Sequence, residues 1–567
     1  MSSPPNDVSR PGTGLTSYGD PGFSQFVRRA FARHTGLAPE DYEKPTIGIC
    51  DTTSEINRCH THFGPIIEAV KRGILMEGGI PLSFPTISLG EMFTKPTTML
   101  YRNLAAIDTE EMIRAQPIDG VVLMGGCDKM VPAQLMGAAS ADVPAIQFTG
   151  GPMSNGEYEG ETLGACSDCR RYWQEYRAGE VDEEELEKIN ESLAPTAGHC
   201  MVMGSASTMA VVSEALGVMP PGTAAIPATD NRRLAAAQET GRLIVRLVER
   251  STRPSEIMTA RAFENAIRVL MAIGGSTNAL IHLVAVAGRL GIELPLTLFD
   301  ELGKETPLIA NLRPAGKYQM QEFFHAGGAP AVMKELSAML HLEEPTITGR
   351  TIGENIEDAR VSEAYRDVIR SVDEPLHQDG GLAILWGNIA PGGAVIKSKA
   401  ASSLMKHRGR AVVFSSVEDM QERVNDPNLD VEAGDVLVLK NVGPVGAPGM
   451  PEAGLLPIPS KLLRQGVRDM VRISDCRMSG TASGTIVLHV SPEAAIGGLL
   501  ALVRDGDEID LDVEARRLDL LVSEEELADR RSDWRQPSKA ERGYVRLYQE
   551  HVLQADEGCD LDFLRKA

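Results

Sequence analysis

From Lys44 to Gly151 the chain alternates short apolar runs with longer amphipathic ones, a rhythm that few folds accommodate. "PTIGICD" has the length and residue types of a strand, and "HFGPIIEAVKRGILMEGG" reads as an amphipathic helix. "IPLSFPTIS" is extended, "DTEEMIRAQ" helical, "DGVVLMGG" a strand, "PAQLMGAAS" a helix and "VPAIQFTGG" a strand. Such alternation implies βαβ units and a parallel sheet. Ligand sites in these sheets lie beyond the carboxyl ends of the strands. Cys59, Glu91 and Cys127 each follow a strand-like run, so the topology can bring them together.

The middle of the chain is mainly helical, with "DNRRLAAAQETGRLIVRLVER" and "RAFENAIRVLMAIGG". Its character changes near Pro345–Val361. Beyond Ser371 come short strands punctuated by Gly and Pro: "GLAILWGNIAPGGAVIK", "GRAVVFSS", "GDVLVLKNVGPVGAPGMPE" and "GTIVLHVSP". The expected architecture is an α/β protein, with an N-terminal parallel-sheet αβα domain over residues 1–365. A smaller β-rich, barrel-like or sandwich domain follows over 366–567. "SEEELADRRSDW" reads as a solvated helix, and no internal repeat is evident.

At 567 residues the chain has ample material for a core and for two to four domains. Its formal charge of −23 argues against nucleic acid or an anionic membrane as a partner. An acidic substrate would then need a local positive centre. "MSSPPNDVSRPGTG" lacks the apolar core of a secretory signal. "MVMGSASTMAVVSEALGVM" carries Glu214 and many small residues, so it reads as an interior helix rather than a membrane span. A cytoplasmic location follows, with the eight cysteines as reduced thiols or cofactor ligands.

Cys59 in "NRCHTHF", Cys127 in "GGCDK" and Cys200 in "AGHCMVMGS" stand in loop-like contexts. Each alone reads equally as a small buried hydrophobe. Three thiolates meeting at one sheet edge would hold an iron–sulfur cluster with an open iron position. "CSDC", Cys166 to Cys169, lacks a second CxxC or a His pair and reads as a helix-proximal loop.

Asp128 and Lys129 have plain readings as a helix cap and a solvated amine. Beside Cys127, Asp128 offers a hard oxygen for magnesium, and a carbamylated Lys129 would offer another. Glu91 in "SLGEMF" and Glu452 in "GMPEAG" read singly as surface charges. "CRMSGTASGT" holds Ser479 and Thr481 between Gly480 and Gly484, glycines that would let backbone approach a ligand. "GGSTNA" reads first as a helix cap, with substrate contact as the lesser alternative. No Gly-rich run has the spacing of a nucleotide-binding loop.

Taken together, "RCHTHF", "GGCDKMVPA", "HCMVMGSASTM", "GGSTNALIHL", "GAPGMPE" and "SDCRMSGTASGT" make the chain resemble the dihydroxy-acid and sugar-acid dehydratase (IlvD/Edd) family over most of its length. The resemblance implies a [2Fe-2S] cluster on Cys59, Cys127 and Cys200. It implies Mg2+ on Glu91, Asp128, carbamylated Lys129 and Glu452. It implies Ser479 as the base at C2, with Thr481 touching substrate. It further implies a small polyhydroxy acid as substrate and a homodimer or homotetramer.

The amino-acid-biosynthesis branch typically shows "DGI.MGH" and "DGRFSGG" where this chain reads "SLGEMFTKPTTMLYRNLA" and "SDCRMSGTASGT", which look like the pentonate branch. The expected activity is dehydration of an aldonic acid such as arabinonate or xylonate to its 2-keto-3-deoxy acid. Dihydroxy-acid dehydration in branched-chain amino-acid synthesis is the alternative. A non-catalytic iron–sulfur sensor using Cys166 and Cys169 is an alternative of another class. A zinc hydrolase has only "HTH" in its favour.

Overall fold

The computed structural model describes residues 19–34, 36–400 and 404–566, so the N-terminal stretch read for a signal lies outside the described residues. Strands β1 (Thr46–Asp51), β2 (Ile80–Pro85), β3 (Gly120–Gly125) and β4 (Ala145–Thr149) form an all-parallel sheet in the order β2-β1-β3-β4. β3 and β4 are buried throughout and β1 except at Asp51. Burial on both faces is why these segments read as continuous apolar runs rather than alternating ones. β2 lies at an edge and is partly exposed, which accommodates Pro81 and Pro85.

After α1 (Pro21–His34), the crossovers run through α2 (Phe63–Met76), α3 (Thr98–Ala115) and α4 (Met130–Ala141). A hairpin, β5 (Gly156–Tyr158) and β6 (Glu161–Leu163), leads into α5 (Ala165–Ala178) and α6 (Glu183–Ser192). Then come α7 (Ser205–Ala215), α8 (Asn231–Glu249), α9 (Pro254–Ile257), α10 (Ala260–Ala272) and α11 (Asn278–Arg289). α2 packs on α8 and α3 on α4, covering the two faces of the sheet. Every residue of α7 is buried, as expected for an interior helix. Its Glu214 is tolerated because Gly222 N–H donates to it at 2.8 Å and Ala224 N–H at 2.5 Å.

The C-terminal region is an eight-stranded mixed sheet, mostly closed into a barrel. Its strands are β7 (Ala383–Leu385), β8 (Gly393–Ile396), β9 (Lys406–Phe414), β10 (Val436–Leu439), β11 (Val471–Ser474), β12 (Ile486–Ser491), β13 (Glu508–Asp512) and β14 (Arg517–Leu520). The order is β14-β13-β9-β10-β11-β12-β8-β7. The edge strands meet where Trp386 N–H donates to Arg516 O at 2.9 Å and Leu518 N–H to Trp386 O at 2.8 Å. Closure satisfies backbone groups that an open edge would expose.

Two expectations need correction. Cys166 to Cys169 lie in the first turn of α5, not in a loop. The Asp168 carboxylate reaches back to Gly164 N–H at 2.7 Å and stabilises that helix start. Second, Cys166 and Cys200 are paired as a disulfide in this structure, with Cα atoms 6.6 Å apart, against the expectation of separate thiols or cofactor ligands. The expectation came from compartment, whereas pairing follows from α5 beginning beside the Cys200 loop. Lys129 is fully buried, which removes the plain reading of it as a solvated amine that its place beside Cys127 already disfavoured.

Candidate active site

The site lies beyond the carboxyl ends of β1, β2 and β3, where the barrel's β11–β12 loop abuts the parallel sheet. Lys129 caps α4 and points its ammonium into three carboxylates. Its Nζ is 3.1 Å from Asp128 Oδ2, 3.7 Å from Glu452 Oε1 and 3.9 Å from Glu91 Oε2. Glu91 and Glu452, unremarkable singly, are thus held together, one from each half of the chain. No one of them is a free surface charge.

The neighbours set the electrostatics. Burial pushes the Glu91 carboxyl up, but Lys129, Arg477 and hydrogen bonds from Thr97 and Thr98 outweigh it and leave it below its ordinary value. Thr97 Oγ1 donates to Glu91 Oε1 at 2.6 Å, and the Thr98 hydroxyl donates to Oε2. Glu452 is held above its ordinary value, by burial first, with Lys129 and Arg477 opposing. The two carboxylates differ because Glu91 accepts several donors while Glu452 lies deeper.

Arg477 and Asn278 tie this acidic cluster to the serine loop. Buried Arg477 donates from Nη1 to Glu452 Oε1 at 3.1 Å and to Asn278 Oδ1 at 3.3 Å, from Nη2 to Thr97 Oγ1 at 3.1 Å, and from Nε to Met450 O at 2.8 Å. Asn278 Nδ2 donates to Ser205 Oγ at 2.9 Å, to Met478 O at 3.2 Å and to Glu452 Oε1 at 3.4 Å. "GGSTNA" is therefore more than a helix cap. Both residues lie inside motifs the sequence marks, Asn278 in "GGSTNA" and Arg477 two positions before Ser479, yet nothing local assigns either a role.

Ser479 is half-buried and its Oγ is 2.8 Å from Thr481 Oγ1. The Thr481 hydroxyl donates to Cys166 O at 3.0 Å, and a hydroxyl has one proton. Ser479 must then be the donor to Thr481, and among the described residues its lone pairs accept from no other group. Gly480 is required for packing: a Cβ there would collide with the Ser276 hydroxyl. Gly484, at φ +119°, adopts a backbone conformation that side chains disfavour.

Behind the loop, fully buried Lys397 donates from Nζ to Gly480 O at 3.0 Å. Burial lowers its amine to about 7 from an ordinary 10.5. Between those values the unfolded chain binds the proton and the native chain does not, so stability rises with pH across that window. The melting advantage of wild type over Lys397→Met should therefore grow between pH 7 and about 9.5. Thermal melts at both ends check this, and a pH-independent difference would contradict it.

The sulfur side is less assembled. The Cys59 and Cys127 thiols are hydrogen-bonded, and that bond together with burial pushes Cys127 well above the usual thiol range. His60 Nε2 accepts Cys127 N–H at 3.0 Å, while its Nδ1–H donates to Thr52 O at 2.9 Å. Burial holds this imidazole neutral, near 3, so it shapes the Cys127 loop. Cys200 follows His199, which pairs with Pro152 beyond β4, and its sulfur is engaged with Cys166. Among the described residues, no three His, Cys, Asp or Glu side chains already form a metal-ligating group. The donor chemistry still separates into hard oxygens around Lys129 and soft sulfurs at Cys59 and Cys127, the sets suited to a hard divalent cation and to iron. Cys200 can join the second set only as a free thiol.

Residues 44–355 match the model of the dihydroxy-acid/6-phosphogluconate dehydratase N-terminal domain, and 367–559 match that of its C-terminal domain. The chain belongs to this dehydratase family. It is a hydro-lyase, an enzyme that eliminates water across a carbon–carbon bond. It is 50% identical to an L-arabonate dehydratase of Azospirillum brasilense, with 95% of this chain and 94% of the relative covered. It is 48% identical to an L-arabinonate dehydratase of Rhizobium leguminosarum bv. trifolii (97% and 95% covered) and 47% identical to a 6-deoxy-6-sulfo-D-gluconate dehydratase of Pseudomonas putida (95% and 94%). Relatives named dihydroxy-acid dehydratase match at 40 to 42%.

Proposed function

We propose that the enzyme dehydrates a 2,3-dihydroxy sugar acid, such as arabinonate or xylonate, to the 2-keto-3-deoxy acid. The observation that carries this is the juncture itself: Arg477 and Asn278 tie the loop of Ser479 to the carboxylates around Lys129. Relatives named for sugar acids, at 47 to 50% identity, support it over the branched-chain alternative at 40 to 42%.

On this reading Glu91, Asp128, Glu452 and carbamylated Lys129 hold magnesium, and Cys59, Cys127 and reduced Cys200 hold a [2Fe-2S] cluster. When bound, these groups supply Lewis acidity for the acid's carboxylate and hydroxyls. Ser479 Oγ, as its anion, takes the C2 proton. The C3 hydroxyl departs as hydroxide and becomes water with the proton the serine gained, which restores the anion. The resulting enol tautomerises to the keto acid. A free serine is far too weak a base, so its anion needs adjacent positive charge. Thr481 serves it by turning its proton from Cys166 O toward Ser479 Oγ. The parallel-sheet half, 1–365, supplies the cluster and most metal ligands, and 366–567 supplies the base.

A cytoplasmic homo-oligomer acting on a small acid fits the charge of −23, and no helix among the described residues is long and apolar enough to cross a membrane. The test is anaerobic purification under thiol reductant, followed by assay of 2-keto acid formation. The panel is arabinonate, xylonate, gluconate, glycerate and dihydroxy-isovalerate, with and without magnesium. Magnesium-dependent turnover of the five- or six-carbon sugar acids is expected. Turnover of dihydroxy-isovalerate alone would move the enzyme to the amino-acid branch, and none from fully loaded protein would favour a sensor.

A further inference from the structure

Thr481, bonded to Ser479, also forms part of the wall of a cavity of 870 Å³. That is near the top of the roughly 300–1,000 Å³ range of small-molecule sites, more than a five-carbon acid needs. One face of α5 lines it, with Ser167, Arg170, Arg171, Gln174 and Arg177 at helical spacing. Arg313, Arg468 and Arg472 add to the wall, in a protein of net charge −23.

Most of these arginines are already matched. Arg171 pairs with Glu161 at 2.8 Å and Asp168 at 3.1 Å, and Arg313 with Asp168 at 2.5 Å. Arg472 pairs with Asp469, and Arg468 with Glu180. Arg177 faces no acid among the described residues but donates to Asn425 Oδ1 and Ile458 O, both at 2.9 Å, and to Ser460 Oγ at 3.3 Å. Arg170 differs. Among the described residues it has no carboxylate within ion-pair distance, and its Nε is buried without a hydrogen-bond partner. Nε is enclosed by protein and beyond a ligand's reach. Arg170 itself is only half-buried and no carboxylate among the described residues neutralises its charge, so an anion in the cavity would meet it through the terminal nitrogens.

We propose that this cavity receives the far end of the acid chain and that Arg170 binds a second anionic group there, a terminal carboxylate, phosphate or sulfonate. The inference rests on the reading of Ser479 as the group at the reacting end. A planar guanidinium suits these oxyanions, whereas a terminal hydroxymethyl would leave its charge unmatched. Arg170 would then set specificity among acids that share the same C2–C3 chemistry.

The test compares kcat/KM for six-carbon acids ending in hydroxymethyl, carboxylate, phosphate or sulfonate, in loaded wild type, Arg170→Gln and Arg170→Lys. Wild type should prefer at least one doubly anionic acid by about tenfold or more. Arg170→Gln should bring that ratio near one while changing the hydroxymethyl acid less than about threefold, and Arg170→Lys should retain part of the preference. The preferred terminus identifies the anion. No preference in wild type, or an equal loss on all acids in Arg170→Gln, overturns this proposal and leaves the dehydratase site standing. No turnover of any acid by loaded wild type brings down both.

Discussion

Ser479→Ala is expected to lower kcat/KM by about 10²–10⁴-fold on the preferred sugar acid, the scale of a positioned general base. Ser479 is half-buried and its hydroxyl bonds only Thr481 Oγ1, at 2.8 Å, among the described residues. Its removal should therefore cost about 1 kcal/mol of stability at most. The variant should melt close to wild type and keep the visible absorption of the proposed iron–sulfur centre. Cys127→Ser should lose both absorption and turnover. Steady-state kinetics beside an absorption spectrum separates the two roles. Wild-type kcat/KM in Ser479→Ala would remove serine from the base position.

The second large effect concerns stability. Lys129 carries no exposed surface and faces three carboxylates within 3.9 Å. In metal-free protein Lys129→Met should cost about 3–5 kcal/mol, because breaking a buried ionic cluster leaves charge without a partner. Arg477 alone would then face Glu91 and Glu452. Excess magnesium should restore part of the loss by taking the place of the missing cation. Denaturant unfolding with chelator and then with magnesium checks both statements. Equal stability of variant and wild type in chelator would show that the lysine does not hold the cluster.

Much of the architecture is legible because the chain buries some elements on both sides and others on one. β1, β3 and β4 are continuous apolar runs for that reason, and α7 is apolar and small all round. The barrel was harder to read. β11 carries Arg472, buried by virtue of its partner Asp469, and β13 alternates acids with apolar residues. Neither has an apolar run long enough to announce a strand. "CSDC" shows the same limit, since Asp168 makes it a helix start only by reaching back to Gly164 N–H.

Residue chemistry and chain order mark Cys59, Cys127, Asp128, Lys129 and Ser479 only as candidates in loop-like contexts, and it is the resemblance carried by six ordered motifs that gives them roles. Local information does determine that strand and helix alternate before the barrel begins. Tertiary structure decides what those groups meet. It buries Lys129 among Glu91, Asp128 and Glu452, threads Arg477 and Asn278 between them and the serine loop, and joins Cys166 to Cys200. It also leaves Arg170 unmatched in a cavity wall while its neighbours are paired. Charge balance, desolvation and hydrogen-bond satisfaction are sums over neighbours far apart in the chain, so they take values only once the chain has closed on itself.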